Sequence, residues 1–280
     1  MATNLPMSQE TASWVRDVLA GRAEPVEPRP AATVMLVREG ADPGGLEVYL
    51  LRRVSSMPFA PGAHVFPGGS VDRRDIDHEV RWAGPAPAEW ARRLGAAEPL
   101  ARALVCAAVR ETFEESGVLL AGASADEVVS DTRGADWEAD RTALIDHSLS
   151  FAEFLDRRDL VLRSDLLRPW SQWITPLAEV RRYDTRFFAA VLPEGQQTRD
   201  VGGEADHVAW MRPAEAIEGW RSGAMAMLPP TVSSLKDLAA YATLPGVMAA
   251  RRTIVPIQPE LREVDGEVRL VVPEGVDYPL

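Results

Sequence analysis

Residues 100 to 118 constrain the fold most strongly, because they form the pattern of one helix that ends in a cluster of acids. The first ten residues are alanine-rich and apolar, a composition that favours helix, and Gly117 stands where such a helix would end. On a helix, Glu111, Glu114 and Glu115 lie at positions i, i+3 and i+4, so their carboxylates share one face. The stretch therefore predicts a helix whose last turns carry three neighbouring negative charges.

Three neighbouring carboxylates repel one another, so this arrangement needs a compensating positive charge. A hard divalent cation can supply it, because Mg²⁺ and Mn²⁺ prefer oxygen ligands. Arg110 precedes the first glutamate and can pair with Glu114 at i+4, which helps to hold the acidic face in place. The alternative interpretation is a solvated acidic face at a helix end, without a metal ion.

A glycine-rich turn, Phe-Pro-Gly-Gly at residues 66 to 69, lies upstream of this helix. Together the two segments resemble the Nudix box, G-x5-E-x7-R-E-U-x-E-E-x-G-U, where U is a bulky aliphatic residue. The matching residues are Gly69, Arg110, Glu111, Glu114, Glu115, Gly117 and Val118. Asp75 replaces the first glutamate of the pattern, and Thr112 replaces an aliphatic residue.

The box is interrupted by an insertion. The 34 residues from 76 to 109 separate Asp75 from Arg110, where the family pattern has seven. Because the cost of closing a loop grows slowly with its length, an inserted segment can bulge out without moving the turn or the helix. A branch of the Nudix family that includes coenzyme A diphosphatases carries a similarly split box. Trp82, Trp90 and Leu94 indicate that the insertion packs against something, as a lid, a dimer contact or a decorative surface helix.

The resemblance implies an α/β fold, the Nudix-type α/β/α sandwich with a mixed, mostly antiparallel sheet. We predict an N-terminal helix and linker (1–30), a Nudix domain (31–222) with the insertion at 76–98, and a C-terminal extension (223–280) that packs on the domain. Strands are predicted at 31–37, 46–51, 118–120, 168–175, 185–192 and 205–211, with a hairpin around 264–267. Helices are predicted at 8–20, 88–93, 124–158, 213–221 and 229–241.

The resemblance also implies a reaction and a set of metal ligands. The three box glutamates, with the carbonyl oxygen of Gly69, would bind Mg²⁺ or Mn²⁺, and water would cleave a diphosphate linkage X-P-P-Y into X-P and Y-P. A carboxylate would take the proton of the attacking water, and the candidates are Glu111 and Glu204. Glu204 follows two glycines just before a predicted strand, so a simple turn residue is its alternative role.

Two groups of residues are candidates for binding the substrate. Arg53 ends the second predicted strand and matches part of the motif that precedes the box in coenzyme A-cleaving members, although residues 54 and 58 depart from that motif. A surface salt bridge is the alternative for Arg53. Arg181, Arg182 and Tyr183 lie between two predicted strands, where arginines suit phosphate and a tyrosine can stack on a base.

Composition limits the partners. The net charge of −12 and the sequence pI of about 4.9 argue against nucleic acid, whose binding requires a basic face. The single cysteine, Cys106, excludes an internal disulfide and fits a reducing compartment. Apolar runs are too short to span a bilayer, and no signal-peptide pattern is present. We therefore predict a cytoplasmic protein that acts on a small-molecule diphosphate without a membrane partner, with a homodimer as the commonest assembly.

The predicted function is divalent-metal-dependent hydrolysis of a nucleoside diphosphate derivative, with coenzyme A or an acyl-coenzyme A as the first candidate. One alternative is a pyrophosphatase that acts on ADP-ribose or NADH. The other is a Nudix-fold module that binds such a ligand without cleaving it. Loss of box carboxylates would favour the binding module, and all three glutamates are present.

Overall fold

A mixed β-sheet forms the centre of the molecule. The computed structural model describes residues 3–4, 9–40, 45–54, 60–77, 79–199, 205–264 and 267–273. Its strands are β1 Thr3–Asn4, β2 Arg29–Glu39, β3 Leu46–Arg53, β4 His64–Val65, β5 Gly68–Ser70, β6 Trp82–Ala83, β7 Ala121–Gly122, β8 Val161–Arg163, β9 Leu167–Ile174, β10 Tyr183–Val191, β11 Ala205–Met211, β12 Pro256–Ile257, β13 Glu260–Val264 and β14 Glu267–Val271. Its helices are α1 Gln9–Leu19, α2 Arg73–Asp77, α3 Pro87–Leu94, α4 Glu98–Ser116, α5 Ala135–Ile145, α6 Phe151–Arg157, α7 Pro213–Arg221, α8 Pro229–Ala239 and α9 Leu244–Ala249.

The main sheet has the strand order β11-β3-β2-β10-β9-β12, with β4 beside β3 and β5 beside β2. Strand β2 pairs parallel with β10, and β12 pairs parallel with β9. The other pairs in this sheet are antiparallel. The predicted α/β class and the mixed, mostly antiparallel sheet are therefore confirmed.

The two faces of the sheet are covered by different helices. Along β2, Val34 and Leu36 contribute to one core with α3, α4 and α6, whereas Met35 and Val37 contribute to a second core with α7 and α8. This alternation follows from the period-two geometry of a strand, which sends successive side chains to opposite faces. Both faces of the strand are buried, as the sandwich architecture requires.

Helix α4 lies deep in the first core. A proline stands in its first turn, and the helix ends at Gly117, whose φ of 75° is left-handed and whose N–H donates to the carbonyl of Phe113. Glycine adopts this conformation without the steric cost that a side chain brings. Cys106 is buried in the apolar part of the helix, and burial raises the pKa of its thiol to about 12. The predicted helix, its end and the packing role of the cysteine are confirmed.

The insertion contributes to the same core. Trp90 and Leu94 of α3 are fully buried, and the ring of Trp90 meets Phe188 of β10 edge-on at 5.9 Å. Arg186, also on β10, donates from Nε to the carbonyl of Leu94 at 3.4 Å. These contacts confirm that the insertion packs against the domain, since α3 contacts strand β10 through both Trp90 and Leu94.

Two predicted elements differ from the structure. Residues 118–120 precede the short strand β7 instead of forming a strand, and the side-chain amide of Gln196 bonds both the N–H and the carbonyl of Leu119, each at 2.8 Å. That amide takes the place of a neighbouring strand. The predicted long helix at 124–158 is a loop followed by α5 and α6, and Ser150 begins α6 with a capping box.

The two ends of the chain pack together. Strand β1 pairs with β14, and the hairpin β13–β14 has the predicted position, although its turn residues 265 and 266 lie outside the described residues. Val15 and Val18 of α1 pack with Leu261, Leu270 and Ala178 in a small third core. Among the described helices, none has both the length and the apolar composition needed to cross a membrane.

Candidate active site

Arg110 joins the two halves of the interrupted box. Its guanidinium, 7% exposed, donates from Nη1 to Glu111 Oε1 at 2.8 Å and to Glu114 Oε1 at 3.1 Å. Nη2 donates to Asp75 Oδ2 at 3.2 Å and to the carbonyl of Ser70 at 2.9 Å. The predicted pair between Arg110 and Glu114 is confirmed. The insertion therefore leaves the two halves of the motif in direct contact.

The glycine turn lies directly against the glutamates. Pairing of β5 with β2 places it there, and the N–H of Gly68 donates to Glu115 Oε2 at 2.8 Å. A Cβ added to Gly69 would lie 2.5 Å from Glu111 Oε1, and one added to Gly68 would lie 2.5 Å from the carbonyl oxygen of Ala32. A side chain at position 68 would therefore collide with the backbone, whereas one at position 69 would force the Glu111 carboxylate to move.

The charges in this cluster are incompletely compensated. Burial raises the pKa of Glu111 to about 7, although the neighbouring Arg110 acts in the opposite direction. Burial also raises the pKa of Glu114 and of Asp75. One buried guanidinium is thus shared among three buried carboxyl groups, and the protein alone stabilises their charged forms only in part.

The donor set fits a hard divalent cation. Glu111, Glu114, Glu115 and the Gly69 carbonyl supply only oxygen, and an added positive charge would stabilise the charged forms of Glu111 and Glu114, whose pKa values burial raises. Within the described ranges, no three acidic, histidine or cysteine side chains converge as a metal site. Glu111 and Glu114 turn to Arg110 instead, and Glu115 turns to Gly68.

A polar group beyond the box supports its first half. The N–H of Asp72 donates to Asp75 Oδ2 at 3.0 Å, and Arg74 binds Asp72 through its side chain and the carbonyl of His147 through Nη1. Hydrogen bonding from Arg74 lowers the pKa of Asp72 to about 2. His147 lies between α5 and α6, so only tertiary packing brings its carbonyl to Arg74.

A second group, also missed by the sequence patterns, lies at the end of α4. Arg141 of α5 is buried and donates from Nη1 to the carbonyl oxygen of Glu114 at 2.6 Å. No motif marks this arginine, and only the tertiary packing of α5 on α4 brings it to the box.

The predicted substrate-binding residues differ in their exposure and in their hydrogen-bond partners. Arg53 ends β3, where its N–H donates to the carbonyl of Ala63, and Tyr183 begins β10. Arg181 is exposed, whereas Arg182 is buried and donates to the carbonyls of Val26, Thr175 and Pro176. In this structure the Arg182 guanidinium therefore binds loop carbonyls, and its predicted contact with phosphate stays a prediction.

The predicted base Glu204 lies outside the described residues. The structure therefore brings together Gly69, Glu111, Glu114 and Glu115 from the predicted site, and it adds Asp75 to them through Arg110.

Comparison with known proteins agrees with this geometry. The family model of the NUDT19 Nudix domain matches residues 83–238. The acyl-coenzyme A diphosphatase NUDT19 of Gallus gallus is 28% identical, over 89% of this chain and 81% of its own length. The protein of the same name from Xenopus laevis is 27% identical, over 71% of this chain and 61% of its own length.

A solved structure agrees as well. The crystal structure of a NUDIX hydrolase from Alicyclobacillus acidocaldarius is 29% identical, covers 81% of this chain and 98% of its own, and superposes with a TM-score of 0.66. The family match spans more than half of the chain and includes the whole of α4 with its glutamates. This chain therefore belongs to the NUDT19 Nudix domain family and is a Nudix pyrophosphohydrolase.

Proposed function

We propose that this protein hydrolyses the diphosphate linkage of coenzyme A or an acyl-coenzyme A, with Mg²⁺ or Mn²⁺ as its cofactor. The observation that carries the proposal is the cluster in which Arg110 joins the acids of both box halves beside the glycine turn. The split box and the names of the Gallus gallus and Xenopus laevis relatives support coenzyme A as the substrate class.

The residues of the box have two proposed roles, binding the cation and positioning its ligands. Glu111, Glu114, Glu115 and the carbonyl oxygen of Gly69 hold the cation, and Arg110 holds Glu111 and Glu114 in place. The bound cation polarises phosphoryl oxygens, lowers the pKa of water and offsets negative charge in the transition state. Glycine at positions 68 and 69 lets the turn lie close to Ala32 and to Glu111.

The proton of the attacking water goes to Glu111 or Glu204. Glu111 is a candidate because it lies within the cluster of box acids, where Arg110 holds its carboxylate. Glu204 precedes β11, whose partner β3 ends at Arg53. Exchanging each glutamate for glutamine and following the pH–rate profile distinguishes the two.

Arg53, Arg181 and Tyr183 are the proposed contacts to the substrate. Arg53 ends the strand that runs beside β4 and the loop before the glycine turn. Arg181 is exposed in the segment between β9 and β10, next to Tyr183. We further propose that residues 1–30 form an N-terminal helix and linker, residues 31–222 the Nudix domain, and residues 223–280 a C-terminal extension. We also propose that the protein is a homodimer in a reducing compartment such as the cytoplasm.

A mass-resolved hydrolysis screen tests the function. The protein is offered coenzyme A, acetyl-coenzyme A, ADP-ribose, NADH and a nucleoside triphosphate, each with Mg²⁺, with Mn²⁺ and with EDTA. We expect 3′,5′-ADP and a phosphopantetheine to form fastest, and only with a divalent cation. The variant Glu115→Gln should lose more than about 100-fold in kcat/KM. Mutation of residues that only hydrogen-bond to a metal ligand already lowers activity about 10- to 100-fold, and Glu115 is a proposed ligand itself.

Two outcomes would replace the proposal. If AMP from ADP-ribose or NADH forms fastest, the protein is a pyrophosphatase for those compounds. If no compound is cleaved and one of them raises Tm, the protein is a binding module.

A further inference from the structure

The last turn of α4 is capped from outside the box. An α-helix leaves its final carbonyl groups without partners inside the helix. Here Arg141 Nη1 donates to the carbonyl of Glu114 at 2.6 Å, and the N–H of Arg199 donates to the carbonyl of Ser116 at 3.1 Å. Thr132 Oγ1 donates to the carbonyl of the capping glycine at 2.6 Å. The end of the helix is therefore tied to three separate segments of the chain.

These donors form one charged network. Arg141, with its side chain 4% exposed, binds Glu138 through Nε at 2.9 Å and also through Nη2. Arg199 Nη2 binds the same carboxylate at 3.1 Å, and its Nη1 reaches Thr132 Oγ1 at 3.4 Å. Hydrogen bonding from Arg141 lowers the pKa of Glu138. The ionised carboxylate thus holds two arginines at a helix C-terminus, where the helix dipole favours positive charge.

Apolar contacts hold α5 against α4 independently of this network. Leu144 is fully buried in the core shared by the two helices. The ring of Trp137 meets Phe113 edge-on at 6.3 Å, and Phe154 of α6 stacks on Phe113 at 5.3 Å. Loss of the Arg141 hydrogen bond would therefore leave α5 docked while releasing the carbonyl of Glu114.

We propose that Arg141 is a positioning residue for the metal-binding glutamates. By fixing the carbonyl of Glu114, it fixes the turn from which Glu114 and Glu115 project, with Glu138 holding the guanidinium in the required orientation. This inference rests on the proposed function, in which those two glutamates bind the cation. The role of Arg141 differs from that of Arg110, because Arg141 contacts the backbone of the last turn of α4 and not the carboxylates.

The test compares two variants at position 141 with the wild type. Binding of Mn²⁺ is measured by isothermal titration, and kcat and KM are measured with the substrate cleaved fastest by the wild type. For Arg141→Met we expect Mn²⁺ affinity and kcat each to fall about 10- to 100-fold, the range found for groups that support metal ligands, with KM nearly unchanged. Arg141→Lys should restore part of both losses, because an ammonium can still donate to the carbonyl.

Two control variants separate positioning from stability. Arg157→Met removes an arginine that is 60% exposed and shares Asp140 with Arg158, so Asp140 keeps a partner and both readouts should match the wild type. Leu144→Ala loosens the packing of α5 and should lower Tm at least as much as Arg141→Met. It should nevertheless reduce Mn²⁺ affinity less, because the hydrogen bond to the turn remains.

Several results would overturn the inference. Wild-type Mn²⁺ affinity and kcat in Arg141→Met would do so, and so would equal losses in Leu144→Ala at the same fall in Tm. If Arg141→Met does not fold, Glu138→Gln replaces it, and an unchanged Mn²⁺ affinity in that variant contradicts the proposal. A wild type that neither binds Mn²⁺ nor cleaves any diphosphate overturns the proposed function itself, which distinguishes the two failures.

Discussion

Two charged clusters lie near the same end of α4 and have opposite balances of charge. Around Arg110, one guanidinium serves three buried carboxyl groups, and burial raises the pKa of Glu111 to about 7. Around Glu138, one carboxylate that is 45% exposed serves two arginines, and its pKa is lowered. The first cluster lacks positive charge and can accept a cation, whereas the second is compensated and holds the backbone in place.

The largest effect should follow from removing the single cation of the first cluster. Arg110→Met removes the guanidinium that Asp75, Glu111 and Glu114 share, and breaking such a buried ion pair typically costs about 3–5 kcal/mol. We expect that loss in urea unfolding at pH 8, and a smaller loss at pH 5, where Glu111 is protonated because burial raises its pKa to about 7. Equal losses at both pH values would show that the acids in this cluster are not short of positive charge.

The pH dependence of stability sharpens the same comparison. The pKa of Glu111 rises from 4.5 in the unfolded chain to about 7 in the folded protein, so the folded state binds more protons between these values. The contribution of Glu111 to the free energy of unfolding in EDTA should therefore be largest below about pH 4.5. It should fall as the pH rises to 7, by up to roughly 3 kcal/mol. Glu111→Gln should flatten the slope, and Mg²⁺ should oppose it; an unchanged slope in the variant would contradict this account.

A smaller effect should follow from filling the space beside the glutamates. In Gly69→Ala the new Cβ would lie 2.5 Å from Glu111 Oε1, so the carboxylate must move. A displacement of about 1 Å can lower turnover by up to roughly 100-fold, while the fold loses little because a side-chain end can yield. Gly134→Ala is the matched control, since its Cβ would meet the carboxylate of Asp136 at the same 2.5 Å, away from the box. Similar kcat values in the two variants would contradict the prediction.

The first cluster could be predicted largely from the sequence, and the second could not. The pairing of Arg110 with Glu114 follows from helical spacing, and the end of α4 follows from Gly117. Arg141 and Arg199 reach the same helix only through the packing of distant segments. Local spacing carries no information about such contacts, and side chains of this kind have no motif.

Two side chains form hydrogen bonds to backbone groups that the sequence does not predict. The apolar run at 118–120 predicts a strand, but the amide of Gln196 binds Leu119 in place of a neighbouring strand. Arginine suits phosphate, and the sequence alone does not show that the Arg182 guanidinium donates to three carbonyl groups of adjacent loops. In both cases, the side chain satisfies buried backbone groups, a demand that becomes visible only once the chain is folded.

The burial of Trp90 and Leu94 within the interrupted box has a consequence for protein engineering. Shortening the 34 intervening residues to the seven of an ordinary box would remove both side chains and leave a void beside Phe188. A minimal catalytic motif therefore cannot be transplanted from this chain as turn and helix alone. A transferred segment would have to include the turn, the helix and the intervening residues together, because these parts pack into the same core.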